Sequence, residues 1–312
     1  MRQRTHFLTL ALTLVATAAI AKEIPPGAIA NPDGLQRFQG AAYNSELDEY
    51  LIIYQGDSPR VRRLSTTGSF LAPEVRIDKP IGVSNVGLVY NPNDNQYLAV
   101  YRGDDKIFGI YLDGHGQPLG SRFAIGTGGA VGEAAYSSTS RRYLVVWRKG
   151  PQPIHVNYAF INGDSTAAKP VIASGSLANG DNAQAAWGSV NNKFLVVYTR
   201  EVGAAKEEVF GKLVNANGGI GSEFKIVGGP KAQTGPQVGY ASSKDVFLVS
   251  VSDWRNVDCC RADVVGQRLD SAGKKLGGVF DIVATGNGGW DVTGPIGFNK
   301  ATGQFIATTY VE

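Results

Sequence analysis

The residues best suited to chemistry stand where apolar runs end. Arg102, Arg148, Arg200 and Arg255 each follow such a run. A guanidinium meets a carboxylate or sulfate bidentately, so four at comparable places around a ring would make an anion-binding girdle. The alternative is that each pairs with a nearby acid, such as Asp104 or Glu201, on a solvated rim. The stretch around Arg255 is the least ordinary, with Asp253, Trp254 and the adjacent pair Cys259-Cys260, and with Trp290 in the next connection. Indoles offer flat faces to sugars or other rings. Adjacent cysteines in an oxidising compartment can close a strained disulfide, remain as free thiols, or pair between molecules.

Catalytic signatures are sparse. Beyond residue 21 the only histidines are His115 and His155, too few for a three-histidine metal site. There is no His-Glu-x-x-His, Gly-x-Ser-x-Gly or phosphate-loop pattern, and Gly56-Asp57-Ser58 is a three-residue match to a nucleophile turn without a histidine partner. Neither metal nor cofactor is expected.

The elements that must position these residues are repeats. Six aromatic pairs stand seven residues apart: Tyr43/Tyr50, Tyr90/Tyr97, Tyr136/Tyr143, Trp187/Phe194, Tyr240/Phe247 and Phe298/Phe305. Turn formers such as Asn91-Pro92-Asn93-Asp94-Asn95 lie between them, and each unit reads as strand, tight turn, strand. A second hairpin follows in the first five units, most clearly Leu112–Ile125 and Leu269–Ile282, with glycine where φ must turn positive. The leading aromatics are 47, 46, 51, 53 and 58 residues apart. Four-stranded units at roughly 40–50 residues predict a β-propeller, each small sheet packing on its neighbours around an axis. Glu133, Gln184 and Gln237 fall on the first, innermost strands of their units.

The expected fold is therefore all-β, a six-bladed propeller with blades near 37–83, 84–129, 130–178, 179–232, 233–288 and 289–312. The sixth copy stops after two strands, leaving an open edge. Ile29 precedes Tyr43 by 14 residues, as fourth-strand isoleucines precede the next aromatic, so residues 24–36 are expected to close the last blade.

The pattern Tyr143–Trp147, then Val209–Leu213 or Val264–Leu269, then a glycine turn and Phe-x-Ile, resembles the blade repeats of secreted bacterial propeller proteins across residues 37–312. The resemblance implies fold and export and assigns no catalytic residue.

Arg2 and Arg4 precede an apolar run from Phe7 to Ile20 and the small residues of Ala19-Ile20-Ala21, the pattern of a signal peptide over residues 1–21. Residues 22–312 form one domain, secreted or periplasmic, with no later run of the ~20 apolar residues a spanning helix needs. Without the leader's two arginines, 28 basic residues face 27 acidic ones, a net charge of +1, which gives no footprint for nucleic acid. The 43% apolar content, 18% charge and 40 glycines suit a globular chain of short strands. The expectation is a monomer that binds an extracellular carbohydrate, glycoconjugate or small molecule at the loop face. The alternatives are a polysaccharide lyase or hydrolase, or a small-metabolite enzyme, using acids, arginines or tyrosines there, and a protein-interaction scaffold.

Overall fold

A computed structural model describes residues 37–79, 84–150, 153–203, 206–254, 262–284 and 291–311. Five antiparallel four-stranded sheets follow one another. The first holds β1 (Arg37–Asn44), β2 (Glu49–Gln55), β3 (Arg60–Ser65) and β4 (Val75–Arg76), and the second β5 (Ser84–Asn91), β6 (Gln96–Gly103), β7 (Lys106–Asp113) and β8 (Phe123–Thr127). The third holds β9 (Val131–Ser137), β10 (Arg142–Lys149), β11 (His155–Asn162) and β12 (Val171–Asn179). The fourth holds β13 (Asp181–Gly188), β14 (Lys193–Gly203), β15 (Lys206–Asn215) and β16 (Phe224–Val227). The fifth holds β17 (Gln233–Ala241), β18 (Val246–Asp253), β19 (Asp263–Asp270) and β20 (Phe280–Val283), and the chain ends in the hairpin β21 (Asp291–Asn299) and β22 (Gln304–Val311). Strands pair in chain order within each sheet, and the first strands pack successively, β1 on β5, β5 on β9, β9 on β13, β13 on β17 and β17 on β21. This is a β-propeller.

The blade count corrects the sequence expectation: there are five four-stranded blades, not six. Among the described residues β21–β22 is a two-stranded sheet that no third strand joins, whereas each of the other units has four strands. Closure by an N-terminal strand is accordingly withdrawn; residues 24–36 lie outside the described residues. Burial agrees with the correction. Leu98 to Tyr101, Leu144 to Val146 and Leu195 to Tyr198 are sealed between sheets, whereas Phe305, Ile306 and Ala307 of β22 all keep partial exposure.

The aromatic spacing has a simple cause. Each pair is a cross-strand neighbour pair, as in Tyr136↔Tyr143 with ring centroids 4.6 Å apart and Tyr240↔Phe247 at 4.8 Å. Between the two rings the residue five after the leading aromatic always has positive φ: Asp48, Asn95, Arg141, Asn192, Asp245 and Gly303. Asp and Asn tolerate that conformation and Gly adopts it freely. In four units that side chain also takes a hydrogen bond from the aromatic, as from Tyr43 to Asp48 at 2.7 Å and from Trp187 Nε1 to Asn192 at 3.0 Å.

Polar latches join the blades. The wholly buried Asn44 donates to Asn95 and to the Gly114 carbonyl of blade 2, and the equally buried Asn91 donates to the Gly163 carbonyl of blade 3. Ser137 donates to Asn192 of blade 4 at 2.6 Å.

Candidate functional site

The loops before each first strand and after each second strand open on one face. Here every first strand carries one irregularity in its pairing, between Phe38 and Gly40, Ser84 and Val86, Val131 and Glu133, Asp181 and Gln184, Thr234 and Gln237, and Thr293 and Ile296. Extra residues of this kind bend a strand and re-aim its side chains. Asn85, Asn182 and Gly235 absorb the bend at positive φ. The bulges fall at the same end of each first strand, and that end is called the mouth.

Just inside the mouth, three residues before the leading aromatic, stand Gly40, Gly87, Glu133, Gln184, Gln237 and Pro295. Blades 1 and 2 leave this place bare, while blades 3 to 5 fill it with hydrogen-bonding side chains. Glu133 lies opposite Val146, Gln184 opposite Val197 and Gln237 opposite Ser250, each at the axial edge of an inter-blade face. Glu133 keeps a small contact with solvent but is crowded by protein, and loss of hydration pushes its carboxyl up to about 7 against the pull of the Ala134 N–H. The Ser250 hydroxyl opposite Gln237 is buried with no partner among the described residues.

At the rim of blade 5, Asp253 ends β18 and Trp254 follows it. Trp254 is partly exposed; its Nε1–H donates to Thr234 Oγ1 at 3.0 Å and its backbone N–H to the Ala232 carbonyl at 3.1 Å, which fixes the indole against the start of β17. Asp253 is 5% exposed and accepts from Gln233 Nε2 at 3.2 Å. The side-chain oxygen of Gln233 is buried without a partner among the described residues, and such atoms mark places where water or a ligand completes the hydrogen bonding. Gln233 and Thr234 escaped the sequence reading. The pairing of Gln233 with Asp253 is their only signal, and it appears once the strand register is known.

The loop arginines among the described residues do not all face one way, because strand neighbours face opposite ways. Arg102 and Arg148 stand one residue after the core aromatics Tyr101 and Trp147, whereas Arg200 stands two residues after Tyr198. The first parity faces the connection to the next blade. Arg102 Nε donates to the Gly128 carbonyl while its other nitrogen pairs with Asp105, and Arg148 approaches Asp181 at 3.5 Å. Gln55 and Ser252, of the same parity, accept from the backbone N–H groups of Asn85 and Thr293. Arg200 instead turns to the outer groove of blade 4, pairs with Glu223 and stacks over Phe210 at 3.9 Å. Arg255, Cys259, Cys260 and Trp290 lie outside the described residues.

The Tyr198–Glu223–Arg200 cluster recurs as Tyr54–Glu74–Arg60 and Tyr101–Asp78–Arg122. Burial, then the bond to the acid, pushes these three phenols well above their ordinary range. Repetition in three blades makes this a packing device. Among the described residues, no three His, Cys, Asp or Glu side chains are grouped to hold a metal ion, and no helix is long and apolar enough to cross a membrane.

No family model matches the sequence, and no curated protein matches it. Among solved structures, the chain is similar to the β-propeller domain of Cps50 (Swd1) from Myceliophteria thermophila at 13% identity, covering 87% of this chain and 80% of that one with a TM-score of 0.56. A protein of unknown function from Bacteroides caccae matches at 16% identity over 82% of this chain and 83% of that one, with a TM-score of 0.49. A chain of a nidogen/laminin complex matches at 12% identity over 78% and 80%, with a TM-score of 0.45. At these identities the likeness concerns the fold alone.

Proposed function

We propose that the protein is an exported, ligand-binding propeller that takes a carbohydrate or glycoconjugate at the mouth of blade 5. Export rests on the leader pattern of residues 1–21, and the resemblance to secreted bacterial blade repeats accords with it. The observation that carries the binding reading is the Trp254 indole, partly exposed and held in one orientation by Thr234 and Ala232. A fixed aromatic face binds a sugar ring at little entropic cost, and the acid Asp253, with Gln237 and Gln184 along the axis, offers acceptors and donors for hydroxyl groups. Cys259, Cys260, Arg255 and Trp290 belong to the same proposed surface by sequence, as do Arg102 and Arg148 by their loop positions, whereas Arg200 is turned away from it.

Titrating the protein with a panel of neutral and acidic oligosaccharides, read by tryptophan fluorescence, tests this. At least one should shift the emission saturably, and Trp254→Ala should weaken it tenfold or more, about 1.4 kcal/mol. A panel without any binder, or a Trp254→Ala protein that binds as wild type, would refute the site. A hydrolytic reading draws on Glu133, whose carboxyl holds its proton near neutrality and so suits a general acid. Under it, wild type releases product from a polysaccharide that Glu133→Gln leaves intact.

A further inference from the structure

A second concavity lies away from the mouth. Blade 3's outer strand β12 and the face of blade 4 enclose an open groove of about 470 Å³, lined by His155, Ser176 and Asn179 on one wall and Arg200, Lys212 and Glu223 on the other. That volume lies within the ~300–1,000 Å³ of small-molecule sites.

Its charges are unevenly answered. Arg200 is paired with Glu223 and laid flat on Phe210. Lys212 donates to the Leu177 carbonyl at 2.8 Å and makes no ion pair among the described residues. One ammonium charge, with two further N–H donors, is therefore unspent. Strand register gives Lys212 the counterparts Arg62 in β3, Ile110 in β7, Ala159 in β11 and Gln267 in β19. Of the polar ones, Gln267 carries no charge, and Arg62 donates to a carbonyl and lies over Phe70. On the blade 3 side of the groove the equivalent place is the small buried Ala159, which leaves room for the Lys212 stem. Across the groove, His155, Ser176 and Asn179 add side chains for which no hydrogen bond is found among the described residues, and Ser176 and Asn179 are exposed.

We infer that this groove is a binding site for a small hydroxylated monocarboxylate of the uronic-acid kind, with Lys212 taking the carboxylate and His155, Ser176 and Asn179 taking ring hydroxyls. A monoanion matches the single unspent charge; a phosphate dianion would carry a second negative charge beside Glu223 with nothing to answer it. The inference stands apart from the Trp254 mouth and does not depend on it.

Calorimetric titration of the whole protein with D-glucuronate and with D-glucose, which differ in the carboxylate, tests it. Glucuronate should bind, several-fold more weakly at 0.5 M than at 0.05 M NaCl, and glucose should give no saturable heat. Lys212→Met keeps the aliphatic stem and should lose tenfold or more. His155→Ala, at the groove's rim and harmless to the core, should lose several-fold and decides the matter if Lys212→Met does not fold. Trp254→Ala should bind glucuronate as wild type does. Absence of glucuronate binding, equal binding of glucose, undiminished binding by both groove variants, or loss of glucuronate in Trp254→Ala would each overturn the assignment.

Discussion

Glu133 shows what one side chain at the axis does to the whole chain's response to pH. Its carboxyl holds its proton to about pH 7 in the folded protein and only to the ordinary carboxylate range when unfolded. Between those values the folded state binds the extra proton, so its contribution is full below about pH 4.5 and is lost as pH rises through 7. The loss is at most about 3–4 kcal/mol, since each unit of displacement is worth about 1.4. Glu133→Gln should therefore melt higher than wild type at pH 8, with the difference vanishing near pH 4.5, as scanning calorimetry across that window would record. A constant gap at all pH values would place the carboxyl in water. The sequence displayed Glu133 on an inner strand beside Gln184 and Gln237 but carried no sign of its proton affinity, because that depends on crowding by residues remote in the chain. Trp254 was legible for the opposite reason, as an indole standing alone in a polar loop.

The strand pair and its turn were the most legible element. Residues seven apart must face one another across a tight antiparallel turn, so Tyr90 and Tyr97 announce the register by their spacing alone. The latches were not legible. Asn91 reads as a turn former, and it is one, accepting from the Asn93 N–H at 2.9 Å; it is also a wholly buried donor to Gly163, 72 residues away. Removing it leaves that carbonyl unsatisfied between two blades, so Asn91→Ala should cost about 1–3 kcal/mol in urea unfolding, the range for a buried partner lost. An unchanged midpoint would mean that the contact is replaced by solvent. Parity in strands also decides the arginines. Counting from the core aromatics separates Arg200 from Arg102 and Arg148, while counting positions in a loop merges them.

For the molecule as a whole, repeat counting overshot by one blade. Six leading aromatics are present, yet a blade needs four strands, and the last copy brings two. The incomplete last copy is visible in the sequence; the sixth blade comes from adding residues 24–36 to it, on a spacing that reports where a strand could stand and not what it pairs with. That final hairpin nevertheless docks tightly. A Cβ added at Gly239 of β17 would come within 2.6 Å of Ile296 in β21. Gly239→Val should consequently overpack this contact at a cost of about 1–3 kcal/mol and lower Tm by roughly 2–4 °C for each of them. A variant melting with wild type would show that the hairpin does not rest there.

The contacts of Gln55, Arg148 and Ser252 all run from one unit to its successor. A module tied only to the modules on either side of it carries no instruction about how many others there are. Duplication or loss of a coding segment of some fifty codons would alter the number of modules without reworking those already present, so lineages of this protein are free to drift in circumference while the rim of each unit is tuned separately.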